Sequence, residues 1–261
     1  MSNQTFLNIS AKKCLVVYPK IIENSDRKWE TALLSANSED YGTAVALLII
    51  SVEELIKGLI ILLDGKGFKF RNVNGIKKIF EDHKTRYFIA LTMTLLNIFS
   101  NELQKFLTDF SKRPDKWIKL VAILNKKPKF FERIASSYIE TKLIEINNEL
   151  KWFSNVDVYR QHGFYSDYKK ELISPMSITN MEYLETLEKF RKIRFLGKSL
   201  IVALNPIEPA YIEVFKYIKH EFDSKNYYQK AEIILKKTNN KYSLFNMLSN
   251  ALQPHHQEGK P

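Results

Sequence analysis

The chain has 261 residues, enough for one large domain or two small ones, and its 45% hydrophobic content supplies a substantial core, which excludes a disordered chain. Forty basic against twenty-nine acidic residues give a net charge of +11, so polyanions such as RNA are candidate partners, although excess lysine also serves solubility. The single Cys14 excludes an intrachain disulfide, and the five scattered histidines form no HExxH or CxxC pattern, so neither a metal site nor a cofactor is predicted.

In chain order, the opening MSNQTFLNISAKK lacks the apolar core of a signal peptide and, with the lone cysteine, predicts a cytoplasmic protein. The run CLVVY at 14–18 is the one short β-like stretch, and Pro19 stops it. Everything else convincing has helical spacing, so the fold class is all-α, with helices predicted over about 27–37, 40–63, 84–110, 115–124, 129–153, 178–204, 209–222, 225–237 and 241–252. Asn205-Pro206 ends the sixth of these helices, which divides the chain into a helical domain over 1–205, a helical extension packed on it over 206–253, and a loose tail over 254–261.

The second predicted helix holds AVALLIISVEELIKGLIILL, residues 44–63. Its length suggests a membrane span, but charges near its middle make insertion costly, so it reads as a buried helix of a non-membrane protein. At helical spacing Ser51, Glu53, Glu54, Lys57 and Gly58 fall within one arc of about 160°, with apolar residues elsewhere. Glu53 and Glu54 both reach Lys57, at i,i+4 and i,i+3. Such a stripe is either a solvated edge or a buried set of charges that needs partners from other helices. The DGKGFKF that follows lacks the spacing of a phosphate loop and reads as a glycine turn ending the helix.

Two more polar clusters follow. EDHKTRYF at 81–88 opens a long helix, with Asp82 as an N-cap and His83, Lys84 and Arg86 at the helix start, where an anion is favoured; the residues alone leave open a plain surface connection. VYRQHGFYSDYKKELISP at 158–175 reads as an irregular connection carrying Arg160, His162, Tyr165, Asp167 and Tyr168 around Gly163. It is either a functional loop or one pinned by its tyrosines with Arg160 paired to Asp167.

Taken together, SVEELIKG, then DHK, then RQHGFYSDY with a later proline resemble the AbiV-type abortive infection proteins, bacterial anti-phage factors of the HEPN superfamily, over about residues 30–200. The resemblance implies a HEPN-like helical bundle, with additional C-terminal helices, that forms a homodimer. It also implies a toxin-like role in which infection releases an activity that arrests translation, with a phage-encoded protein as activator. Many HEPN relatives are metal-independent endoribonucleases whose dimer interface joins the Arg and His of an Arg-x(4 to 6)-His motif. No arginine of this chain has a histidine at that spacing: Arg160 is followed by four residues and then Tyr165, with His162 between them.

On that resemblance His83, Arg160, His162 and Tyr165 are the candidate catalytic residues, and Lys84 and Arg86 the candidate RNA-phosphate contacts. Glu53, Glu54, Lys57, Asp82 and Asp167 are the candidates for orienting them. Glu54 and Lys57 are expected beneath the DHK turn and the RQHGFY loop, with Gly58 letting one of those segments approach. The alternative is a non-catalytic helical dimer that blocks translation by gripping RNA, the ribosome or a phage protein.

Overall fold

The computed structural model describes residues 5–72, 80, 82–112, 128–168, 172–204 and 220. Five long helices account for most of them: α1 Ala11–Asn37, α2 Tyr41–Gly65, α3 His83–Lys112, α4 Pro128–His162 and α5 Asn180–Leu204. A two-residue antiparallel pair, β1 Asp167–Tyr168 with β2 Leu172–Ile173, and a 3-10 turn at Pro175–Ser177 join α4 to α5. The all-α class expected from spacing is the class observed. The helices predicted at 115–124, 209–222, 225–237 and 241–252 lie wholly or almost wholly outside the described residues, as does the tail.

The first helix departs from the sequence reading. CLVVY is helical, and α1 runs without interruption through Pro19. The buried positions Cys14, Tyr18, Ile21, Ile22, Ser25 and Ala32 recur at three- and four-residue steps, a helical period that outweighs the β-branched pair Val16-Val17. Proline removes one i to i−4 hydrogen bond, but Pro19 and Leu15, whose carbonyl loses that bond, both face solvent, where water can replace it. Ser10 caps the helix by accepting from the Lys13 N–H at 3.2 Å.

Asp40 caps α2 in the same way, accepting from the Thr43 N–H at 3.1 Å. α2 then runs through the centre of the bundle. Leu48, Leu55, Ile61 and Leu62 are fully buried, and Val45, Ile49 and Ile56 nearly so. Each such side chain contributes about 1.5–3 kcal/mol of transfer free energy, so this helix carries much of the core. No helix among the described residues is long and apolar enough to cross a membrane. The helix ends at Gly65 with Gly67 at φ 89°, a helix-ending turn. Beyond that turn Arg71 pairs with the buried Asp64 and donates to the Phe6 carbonyl at 2.7 Å.

The faces of α2 are shared out. α1 lies along one side, where Ser25 and Ser51 exchange hydrogen bonds: each hydroxyl donates to the other's backbone carbonyl, at 2.7 and 2.8 Å. A Cβ on Gly58 would fall 2.4 Å from Ile22 Cδ1, so this glycine admits α1, not the DHK turn or the 160–167 segment. α5 reaches the same region with Arg194, which donates to the Ser25 hydroxyl at 3.3 Å, pairs with Asp26, and lies 4.9 Å from the Trp29 ring centroid. Trp152 and Phe153 of α4 meet Phe190 of α5 edge-on, with ring centroids 5.4 and 6.4 Å apart.

At the other end of α2 the backbones come into contact. A Cβ on Gly163 would sit 2.4 Å from the Gly42 carbonyl oxygen, and one on Gly42 would sit 2.4 Å from the Pro175 carbonyl oxygen. The end of α4, the start of α2 and the 3-10 turn are therefore stacked at glycine distance. Because the blocking atoms are backbone, Gly163→Ala must push α4 away from α2. We expect a loss of about 1–3 kcal/mol, measured as a lowered urea midpoint with an unchanged slope.

Candidate functional site

The charged stripe of α2 divides in two. Glu54 turns to Lys57 and the two form an ion pair, both side chains 18% exposed. Glu53 points the other way and is buried at 3%. A carboxylate there has lost its water and must be met by donors. The donors come from α3 and α4. His83 Nδ1 is 2.8 Å from both Glu53 oxygens, Tyr87 Oη donates to Oε1 at 2.7 Å, and Arg86 Nη2 lies 3.1 Å from Oε2. Arg160 Nε, from the last turn of α4, is 4.0 Å from Oε1.

Helical spacing explains the convergence. His83, Arg86 and Tyr87 stand at i, i+3 and i+4 in the first turns of α3 and so share one face. Asp157, Arg160 and Gln161 repeat that spacing on α4. Asp157 accepts from Arg160 Nη2 at 2.8 Å, and from Gln161 Nε2 at 3.0 Å through its other oxygen. Tyr87 Oη links the two groups, since it accepts from Arg160 Nε at 3.2 Å while it donates to Glu53.

The electrostatics are coupled. Burial opposes ionisation of Glu53, but the His83 and Tyr87 hydrogen bonds and the Arg86 charge outweigh it and hold the carboxyl below its ordinary range. Burial, followed by the Glu53 charge and hydrogen bond, pushes the Tyr87 phenol well above its ordinary range, so it stays a donor. Burial also works against the Arg160 cation, but Asp157 and Tyr87 more than restore it.

With Glu53 ionised, an unprotonated Nδ1 would present its lone pair to a carboxylate at 2.8 Å; the proton therefore sits on Nδ1. Arg86 Nη2 also lies 2.7 Å from that nitrogen, a contact that is a hydrogen bond only in the other tautomer, so we assign its donation to Glu53 Oε2. Nε2 is then the nitrogen left for a ligand, on a side chain that is 39% exposed.

The other candidates are placed as follows. Arg86 is buried at 3%, its charge directed at Glu53 and not at solvent. Asp82 immediately precedes α3 and has Thr85 Oγ1 at 3.4 Å. The Lys84 side chain lies outside the described residues. The segment read as a loop from 158 is helical through His162, which puts Arg160 and His162 about 200° apart around α4 and so on different faces. Tyr165 is 66% exposed and packs edge-on against Phe164, while Asp167 accepts from the Tyr168 N–H at 2.8 Å on the hairpin. Glu53, and not Glu54 with Lys57, lies beneath the DHK segment. Among the described residues no three His, Cys, Asp or Glu side chains are grouped so as to hold a metal ion.

Sequence reasoning missed Tyr87 and Asp157. The signal for Tyr87 was its place four residues after His83. For Asp157 it was the three-residue step to Arg160, hidden once that stretch was read as irregular.

Removing the Glu53 charge leaves Arg86 buried beside a neutral group. Glu53→Gln should therefore cost about 3 kcal/mol at pH 7, measured by urea unfolding. The sign follows from the lowered folded-state value: the stabilisation is present above the unfolded glutamate range and is lost as pH falls through the folded value. The gap between parent and variant should be widest near neutrality and close below about pH 4.

A family model described as AbiV, HEPN_AbiV, matches residues 13–194, well over half of the chain and all of the described site. No curated protein and no solved structure matches the chain.

Proposed function

Because the chain belongs to the AbiV family of HEPN proteins, whose name carries an abortive-infection function, we propose that it is a toxin-like anti-phage factor that cleaves RNA and so arrests translation. The observation that carries this reading is the Glu53–His83 pair beside Arg160, with a carboxylate fixing one imidazole nitrogen and leaving the other for a substrate.

The chemistry needs no metal. His83 Nε2 takes the proton of a ribose 2′-hydroxyl, the oxygen forms a bond to the adjacent phosphorus, and the bond to the 5′ oxygen breaks. That oxygen leaves with a proton from water, giving a 2′,3′-cyclic phosphate and a 5′-hydroxyl. Arg160 offers its guanidinium to the charge that develops on the phosphoryl oxygens. Glu53 holds the histidine tautomer, and Arg86 balances Glu53. The step gives no part to His162, about 200° around α4 from Arg160, or to Tyr165, which is exposed beyond the end of that helix. We further propose that the active species is a homodimer and that a phage-encoded protein releases the activity, with translation-related RNA as substrate.

Incubating the purified protein with total RNA, with and without lysate from phage-infected cells, should give discrete fragments in at least one condition. His83→Ala and Arg160→Ala should each lower the rate by about 100-fold or more. Intact RNA throughout would overturn the reading. Because Tyr87 is pushed up and Arg160 stays charged, neither titrates before strong alkali. The base must be unprotonated to act. The rate should therefore rise with pH through a single ionisation to a plateau, with no falling limb below about pH 9.

A second reading has its own support, because Glu53 with Arg86 and Asp157 with Arg160 leave the site internally neutralised. A protein that arrests translation by binding alone would keep that arrest in His83→Ala. Loss of arrest in that variant counts against it.

A further inference from the structure

The Tyr87 residue is buried at 4% exposure, where α2, α3 and α4 meet. It has one proton and two acceptors within reach, Glu53 Oε1 at 2.7 Å and Asp157 Oδ1 at 3.4 Å. The shorter contact takes the proton. The oxygen is then free to accept, and Arg160 Nε supplies the donor at 3.2 Å. Glu53 Oε1 thus has His83 Nδ1 at 2.8 Å, Tyr87 Oη at 2.7 Å and Arg160 Nε at 4.0 Å around it. The guanidinium is held along its Nε and Nη2 edge by Tyr87 and Asp157, leaving Nη1 directed away from both.

We infer that Tyr87 is a positioning residue: its hydroxyl joins the Glu53–His83 pair to the Asp157–Arg160 pair, fixing the imidazole and the guanidinium relative to one another. A tyrosine suits this task because its ring is locked by packing between helices while the hydroxyl can donate and accept at once. Phenylalanine would fill the same volume and lose the link. Glu53 Oε1 would lose a donor, its charge would fall more heavily on His83 Nδ1–H, and Arg160 Nε would be left with Asp157 alone. The inference rests on the ribonuclease reading for its catalytic consequence, but the coupling itself does not depend on RNA cleavage.

Among the described residues, Glu53 from α2 and Arg86 and Tyr87 from α3 lie against His83, while Asp157 and Arg160 from α4 reach it through Tyr87 and Glu53. The experiment follows the His83 ring nitrogens by long-range proton–nitrogen NMR across a pH titration, in the full-length parent, Tyr87→Phe and Asp157→Asn. Tyr87→Phe should move the His83 midpoint up by about half a pH unit or more, because the carboxylate then serves the imidazolium more fully. Asp157→Asn, at a side chain 27% exposed, should move it down, because Arg160 loses its balancing charge.

On RNA, the rising limb of the pH profile of Tyr87→Phe should shift by the same amount as its midpoint, with kcat at the plateau reduced about tenfold and KM within about threefold. An unmoved His83 midpoint in Tyr87→Phe would overturn the inference, whether or not the parent cleaves RNA and whatever Asp157→Asn does. A parent that leaves RNA intact while the midpoints move as stated would overturn the ribonuclease reading and leave the coupling established. Should Tyr87→Phe fail to fold, the parent decides: a Tyr87 hydroxyl proton protected from exchange with water supports the link, and one in rapid exchange overturns it.

Discussion

Glu53 places a full negative charge inside the most apolar helix of the bundle, and that charge constrains everything around it. A desolvated carboxylate is tolerated only when several donors reach it with good geometry. The nearby donors of α2 are engaged elsewhere, Lys57 with Glu54 and Ser51 with Ser25. The start of α3 and the end of α4 must therefore be delivered to one spot beside α2, in a single register and a single rotation. Aliphatic packing could accept several rotations of either helix; a carboxylate that wants His83, Arg86 and Tyr87 together accepts one. The requirement that orders the fold is thus the same one that assembles the candidate site.

α2 mediates between two polar systems that face away from each other. Ser51 and Glu53 are two residues apart and point to nearly opposite sides, the first toward Ser25 and Arg194, the second toward His83 and Arg160. Aliphatic side chains of α2 separate the two systems. The first is a tie made of hydroxyls, a guanidinium and Asp26. The second differs in that, among the described residues, one imidazole nitrogen and part of one guanidinium meet no partner, as a candidate site would require.

How much of this could be read from the sequence depends on the kind of signal. The all-α class and the central helix with its charged stripe follow from helical period and charge placement, and the same reading singles out the DHK segment, whose His83 meets Glu53. The family resemblance was carried by the order of three short motifs, and the family match covers the same region. What the chain concealed was direction. Glu53 and Glu54 are equivalent to any rule of sequence spacing, since both reach Lys57, and only the neighbouring helices decide which turns inward. The 158–162 stretch reads as a loop because the glycine and most of the aromatics that suggest one cluster just beyond it. Its end at Gly163 is a helix terminus pressed against another backbone. Pro19 misled in the opposite sense, since a proline on a solvent-facing turn costs the helix little that water cannot replace.

The paired serines between α1 and α2 have a consequence for how freely this core can drift. α2 offers Leu, Ile, Val and Ala on nearly every side, and such a surface is degenerate: sliding α1 along it by one turn would exchange one aliphatic neighbour for another at small cost. The Ser25 and Ser51 hydroxyls, each bonded to the opposite helix's carbonyl, break that degeneracy, because a slide in either direction loses both bonds together and strands two hydroxyls away from water. They act as a dowel between two smooth rods. Substitutions among the surrounding aliphatics can therefore accumulate, one compensating another, while the helices keep their alignment, and the alignment of Glu53 with the helices that serve it is preserved with them.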